Sequence, residues 1–136
     1  MLRFHSWLNR RLDSRGQALV EVALVLPLIL MILLGIMEFG RAFNAYLTLQ
    51  HAAREGARLG VTGAGDNAII DRIKEVAVTL DPDRLVIAIS PQEGARTRGD
   101  VLEVDLQYNF SFLVPLVMDI VGEQIQLQSS LKMRVE

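Results

Sequence analysis

The chain has 136 residues, 51% of them hydrophobic, with 14 basic and 16 acidic side chains, enough for one folded unit and a membrane segment. It contains no cysteine, which excludes disulfides, thiolate metal sites and thiol catalysis. No basic patch is long enough to track a phosphate backbone, so no nucleic-acid partner is expected.

The charge is unevenly spread. Residues 1–16 hold Arg3, Arg10, Arg11 and Arg15 against Asp13, whereas residues 41–136 are net acidic. Arginine on the amino side of a first membrane helix predicts that this side stays cytoplasmic and the rest is exported. From Val22 to Met37 no residue is charged, and from Ala18 to Phe39 Glu21 and Glu38 are the two charged side chains. At about 1.5 Å per residue, Ala18 to Phe39 extends roughly 33 Å, enough to cross a hydrocarbon core of ~30 Å. The run is too long for a secretory signal, and Gly40-Arg41-Ala42-Phe43-Asn44-Ala45 is a poor signal-peptidase site. The expected division is a basic cytoplasmic leader at 1–16, a transmembrane helix at 17–41, and an exported helix extension with its head at 42–136.

Helical character continues through Ala42–Leu59, which lacks proline and is rich in alanine, giving one helix over about 17–59. Glycines from Gly60 to Gly65 end it. Asp66 reads as the N-cap of a second helix, Asn67 to about Leu80, whose apolar face is Ile69, Ile70, Ile73, Val76, Ala77 and Leu80. The period then falls to two. Leu85–Ser90 is a branched apolar run of strand length. Leu102, Val104, Leu106, Tyr108 and Phe110 alternate with polar residues, as do Ile125, Leu127, Leu131, Met133 and Val135. Arg96–Asp100 reads as a hairpin turn, and Phe112–Val121, which contains Pro115, as a loop or short helix on the sheet. One-sided strands need a cover, and the two helices are the available ones. The expected class is therefore α+β: a long amino-terminal membrane-spanning helix, pilin-like, carrying a small head of one further helix on a three-stranded antiparallel sheet.

Several short patterns carry little chemistry. Gly63-Ala64-Gly65-Asp66-Asn67-Ala68 fits G-x-G-x-x-A, but no strand precedes it and no βαβ unit surrounds it. His51 and Glu55 share a helix face without a third metal ligand, and Ser129-Ser130 has no histidine base nearby in sequence. Glu38 and Arg41, three apart, read as an interfacial pair worth a few tenths of a kcal/mol. Pro27 removes one helix hydrogen bond, which lipid-embedded helices tolerate. The Gly56–Gly60 spacing lies outside the apolar span and predicts close approach of the helix to the head's own sheet. Pro27, Gly35, Gly56 and Gly60 are the expected helix-packing positions. No catalytic group, metal, cofactor or small-molecule substrate is expected.

Arg15-Gly16-Gln17-Ala18-Leu19-Val20-Glu21 with the apolar run after it, Gly35-Ile36-Met37-Glu38-Phe39-Gly40-Arg41, Ala52-Ala53-Arg54-Glu55-Gly56-Ala57-Arg58 and Met133-Arg134-Val135-Glu136 resemble the TadE-like proteins. These are pseudopilins or minor pilins of the tight-adherence (Flp-type, type IVc) pilus system. The resemblance implies a part in assembling or initiating a thin surface fibre for adhesion and biofilm growth. It implies four partners: the lipid bilayer of the bacterial inner membrane, other pilins or pseudopilins, the pilus secretion machinery and a prepilin peptidase. It also implies cleavage after Gly16, so that Gln17 becomes the amino terminus and Glu21 the fifth residue, an assembly carboxylate. Val22 departs from the tyrosine that major Flp pilins carry at that place. Two other readings are an uncut single-pass adaptor of the secretion complex and a membrane-anchored adhesin-type module that binds through Arg96–Asp100 and Phe112–Val121.

Overall fold

A computed structural model describes the backbone of residues 5–136 and the side chains of 16–115 and 117–136. Of the basic leader, residues 1–4 and the side chains of residues 1–15 therefore lie outside the described residues. Helix α1 runs from His5 to Val61 and is followed by α2 (Asp66–Val76), β1 (Leu85–Ser90), β2 (Val101–Ser111), α3 (Pro115–Val121) and β3 (Gln124–Arg134), with 3₁₀ turns at Pro82–Arg84 and Glu93–Ala95. Two compact units divide the chain, residues 1–37 and 38–136.

In the first unit the helix is uninterrupted at Pro27 and leaves its aliphatic side chains exposed, from Leu19 to Met37. Among the described residues one helix, Gly16–Val61, is long and apolar enough to cross a membrane.

The second unit has two layers. Its sheet is an antiparallel meander in the order β1-β2-β3, with Ile87 opposite Leu106 and Val104 opposite Leu131. The alternation of β2 buries Leu102, Val104, Leu106, Tyr108 and Phe110 on one face. The α+β class and the strand positions are as the periodicity predicts. Against that face lie Ile69 and Ile73 of α2 and a stripe of small residues on α1, namely Ala45, Ala52, Ala53 and Ala57, with Leu49 among them. The opposite sheet face is polar and cross-linked: Gln126 donates to Gln107 at 2.9 Å, Gln128 to Asp105 at 3.1 Å and Ser130 to Glu103 at 2.9 Å. Lys132, directly opposite Glu103, pairs with it at 3.3 Å.

Four local expectations need correction. The N-cap of α2 is Gly65, and Asp66 is already helical. That helix stops at Val76 rather than near Leu80, and the chain turns through Ala77–Leu80 with a Leu80 N–H to Ala77 C=O bond. The link from β1 to β2 is longer than a hairpin turn, since the Glu93–Ala95 turn precedes the tight reversal at Thr97–Asp100. In that reversal Asp100 accepts from both the amide and the hydroxyl of Thr97, which lowers its carboxyl pKa below the usual aspartate range. Finally, the Gly56–Gly60 pair faces α2 as much as the sheet. A Cβ on Gly56 would sit 2.6 Å from Ile73 Cγ1, and one on Gly60 would meet Leu102 as well as Ile69.

Ile69, Ile73 and Leu102 are fully buried, so they cannot yield to an added side chain without disturbing the core. Gly56→Val is therefore expected to destabilise the second unit by about 1–3 kcal/mol through overpacking, whatever helix propensity it gains. Gly35, which has open space where a Cβ would stand, should accept alanine without loss. Thermal unfolding of the two variants in detergent checks this, and equal midpoints would refute it.

Candidate functional site

Gly16, Gln17 and Glu21 all lie on α1 with their surfaces open. Glu21 shares a face with Ala18, Val22, Val25, Leu26 and Ile29, a stripe at three- and four-residue spacing that forms a shallow groove. The carboxylate is thus the single charged group on an otherwise apolar, unpartnered helix face. No Cβ clash constrains Gly16. A Cβ at Gly56 or Gly60 would meet Ile69, Ile73 or Leu102, while one at Gly35 meets nothing within 4 Å, and Pro27 leaves the helix continuous.

A second carboxylate has a different environment. Glu38 is 3% exposed, although sequence spacing reads it as half of a surface pair. Its Oε2 does accept from Arg41 Nη1, at 2.6 Å. Its Oε1 accepts the backbone N–H groups of Leu113 and Val114 at 2.7 and 2.9 Å. Val114 is the N-cap of α3, so Glu38 satisfies two amides at the mouth of a helix that has no side-chain cap of its own. Pro115 stands at the start of that helix, where a missing N–H costs nothing. Arg41 is held from the other side by the Phe110 ring, 5.1 Å from its centroid, and Phe110 meets Phe112 edge-on at 5.5 Å.

The far end of the unit is also pinned by polar groups. Arg96 keeps its side chain only 7% exposed; it pairs with Asp66 and donates to the carbonyls of Pro91 and Ala64 at 2.9 and 3.0 Å. Asp66 and Glu93 exchange bonds, each carboxylate accepting the other's amide at 3.1 Å. Arg96 is therefore a structural fastener and no contact residue of an exposed loop. Glu55, the partner that His51 would need for a metal, accepts instead from Arg58 and Arg72 at 3.0 Å each. Those two guanidiniums, Arg58 first, lower its carboxyl pKa below the usual glutamate range.

With this geometry in place, the chain can be set beside known proteins. Residues 16–58 match the family model described as TadE-like protein. That stretch is similar to TadE-like proteins. It begins at Gly16, takes in Glu21 and Glu38, and ends two residues before Gly60. The TadE-like family is tied to tight-adherence pilus systems in general. No curated protein and no solved structure matches the chain.

Removing the Glu38 carboxylate strands two amides, at about 1–3 kcal/mol for each that stays buried. Glu38→Ala is expected to speed hydrogen exchange at Leu113 and Val114 while leaving Val104 and Leu106 protected. Glu38→Gln, which keeps one carbonyl oxygen, should fall between wild type and alanine. Unchanged exchange at Leu113 and Val114 in the alanine variant would remove the anchoring role.

Proposed function

We propose that the chain is a pseudopilin or minor pilin that takes part in assembling or initiating a tight-adherence (Flp-type) pilus. It is anchored once in the bacterial inner membrane, with its amino end cytoplasmic and residues 42–136 outside. The observation that carries this reading is the TadE-like match over 16–58, the stretch in which Gly16, Gln17 and Glu21 stand before the apolar run.

The chemistry is that of recognition and packing. A prepilin peptidase cuts after Gly16, and Gln17 becomes a new α-ammonium four residues from Glu21. Both Gly16 and Gln17 lie within α1, so cutting needs the helix to open there, and glycine lowers the cost of opening by roughly 1 kcal/mol relative to alanine. Glu21 then faces a neighbouring subunit. A carboxylate at the centre of a membrane helix costs about 2.5–3.5 kcal/mol, and less near its end. Pairing it with the ammonium of a neighbour in packed apolar helices offsets that cost at one axial register only, so the pair selects the register. The open groove around Glu21, lined by Val22, Val25 and Ile29, supports the same use. The partners are the bilayer, other pilins, the secretion machinery and the peptidase. We assign the protein no catalytic step.

The intact mass of the membrane form, measured in cells with and without the prepilin peptidase, tests the reading. Loss of residues 1–16 is expected only when the peptidase is present. Full-length protein in both strains would overturn the processed pilin in favour of an uncut adaptor of the secretion complex. Separately, Glu21→Ala should still insert into the membrane but no longer co-purify with pilus components. Normal co-purification of that variant would sink the register role.

A further inference from the structure

The connection between β2 and β3 is more apolar than its fold requires. Phe112 is buried, and Val117 and Met118 pack against the core. Leu113, Ile120 and Val121 turn outward, exposing 67%, 74% and 54% of their surfaces. Among the described residues of the second unit, nothing covers them. The start of this segment is anchored by Glu38, whose Oε1 holds the amides of Leu113 and Val114. Glu38 is also the last but one residue of the apolar run Ala18–Phe39. Centring that run in a bilayer puts Glu38 about 14 Å from the midplane at 1.5 Å per residue, against a hydrocarbon half-thickness of ~15 Å. Helical side chains lean toward the helix amino terminus, which here is the bilayer side. The carboxylate and the amides it binds therefore belong at the boundary between acyl chains and headgroups.

We infer that Leu113–Val121 is a second membrane contact, a segment that lays Leu113, Ile120 and Val121 into the bilayer boundary. Its partner is the apolar upper region of the lipid and not headgroup charge. No lysine or arginine lies between Phe112 and Glu123, and the charged residues there, Asp119 and Glu123, are acidic. Short α3 contributes by closing the segment on itself: Val117 and Met118 donate to Val114 C=O at 3.0 and 3.1 Å and Gly122 to Met118 C=O at 2.8 Å. Few backbone groups are then left to bring unpaired into lipid.

The inference rests on the reading of Ala18–Phe39 as a membrane span, and the test separates the two. Because the chain lacks cysteine, single variants Leu28→Cys, Leu113→Cys, Ile120→Cys and Val86→Cys can each carry one environment-sensitive fluorophore. Val86 is an exposed apolar residue of β1 and serves as the reference. The full chain is reconstituted in phosphatidylethanolamine–phosphatidylglycerol vesicles containing lipid spin-labelled either near the headgroup or deep in the acyl chain. Deep spin label should quench position 28. Shallow label should quench positions 113 and 120 with a blue shift, unaltered by added salt, and position 86 should keep its fluorescence. Quenching at 28 with positions 113 and 120 behaving like 86 overturns the second contact and leaves the span. Absence of quenching at 28 overturns both. Labels at 113 and 120 that are blue-shifted yet unquenched would assign the face to contact with a second copy of the chain and so overturn the lipid contact.

Discussion

A carboxylate withdrawn from water must be compensated, and at Glu38 the compensation fastens the β2–α3 connection to α1. A buried ion that loses one partner costs several kcal/mol, so such a group is tolerable only when its oxygens are all engaged. Here Arg41 supplies the countercharge along the same helix, and two amides from a distant segment supply the rest. The amides gain as well, since a helix start without a side-chain cap leaves N–H groups unpaired. Phe110 completes the arrangement by holding the Arg41 guanidinium over its ring. The carboxylate, the arginine and the end of β2 are each positioned by the other two.

Between Glu38 and the glycine-rich turn, α1 is built to be approached. Its inward positions are Ala45, Leu49, Ala52, Ala53, Gly56, Ala57 and Gly60, of which Leu49 alone is large. That composition brings the backbone close to Ile69, Ile73 and Leu102, which supply the volume that the helix does not. From Leu19 to Met37 the same helix follows the opposite rule, with large aliphatic side chains all round and none of them buried. A helix apolar on every side has no face to offer water, whereas one with a narrow small-residue stripe has a face for a protein core. The change falls at Glu38, the first residue of the second unit.

Period-two patterning made the strands legible, because alternation at Leu102–Phe110 and Ile125–Val135 reports one-sided burial whatever covers it. The long helix was legible from hydropathy and from the lack of breakers. Polar fasteners were not, for a common physical reason: their partners are distant and often backbone. Glu38 reaches Leu113 and Val114, 75 and 76 residues away, and an amide has no side-chain signature. Its three-residue spacing from Arg41 looks like an ordinary surface pair. Asp66 has the residue type and position of an N-cap, yet its carboxylate is spent on the Glu93 amide and Arg96, 27 and 30 residues on, and Glu93 meets the α2 amide instead. Local rules assume local partners. The one available hint was Arg96, an arginine beside a Gly-rich, Asp-containing turn region that the hairpin reading left pointing outward.

These fasteners also determine how the second unit can loosen. Arg96, Asp66 and Glu93 join the α1–α2 turn to the β1–β2 connection, and the Glu136 amide closes on Val61 C=O at 3.2 Å, so one end is held by several independent bonds. The other end depends on Glu38. Between them the core is apolar and continuous, with β2 paired along its length to β3. Local opening begins where few buried apolar contacts back up the polar ones. That place is the β2–β3 connection, where Leu113, Ile120 and Val121 contribute nothing to the core. Its order thus rests on Glu38 and the core contacts of Phe112, Val117 and Met118 from within, and on whatever lies against its apolar surface from without. A bilayer at that depth would act in the same direction as Glu38, since both hold the segment closed.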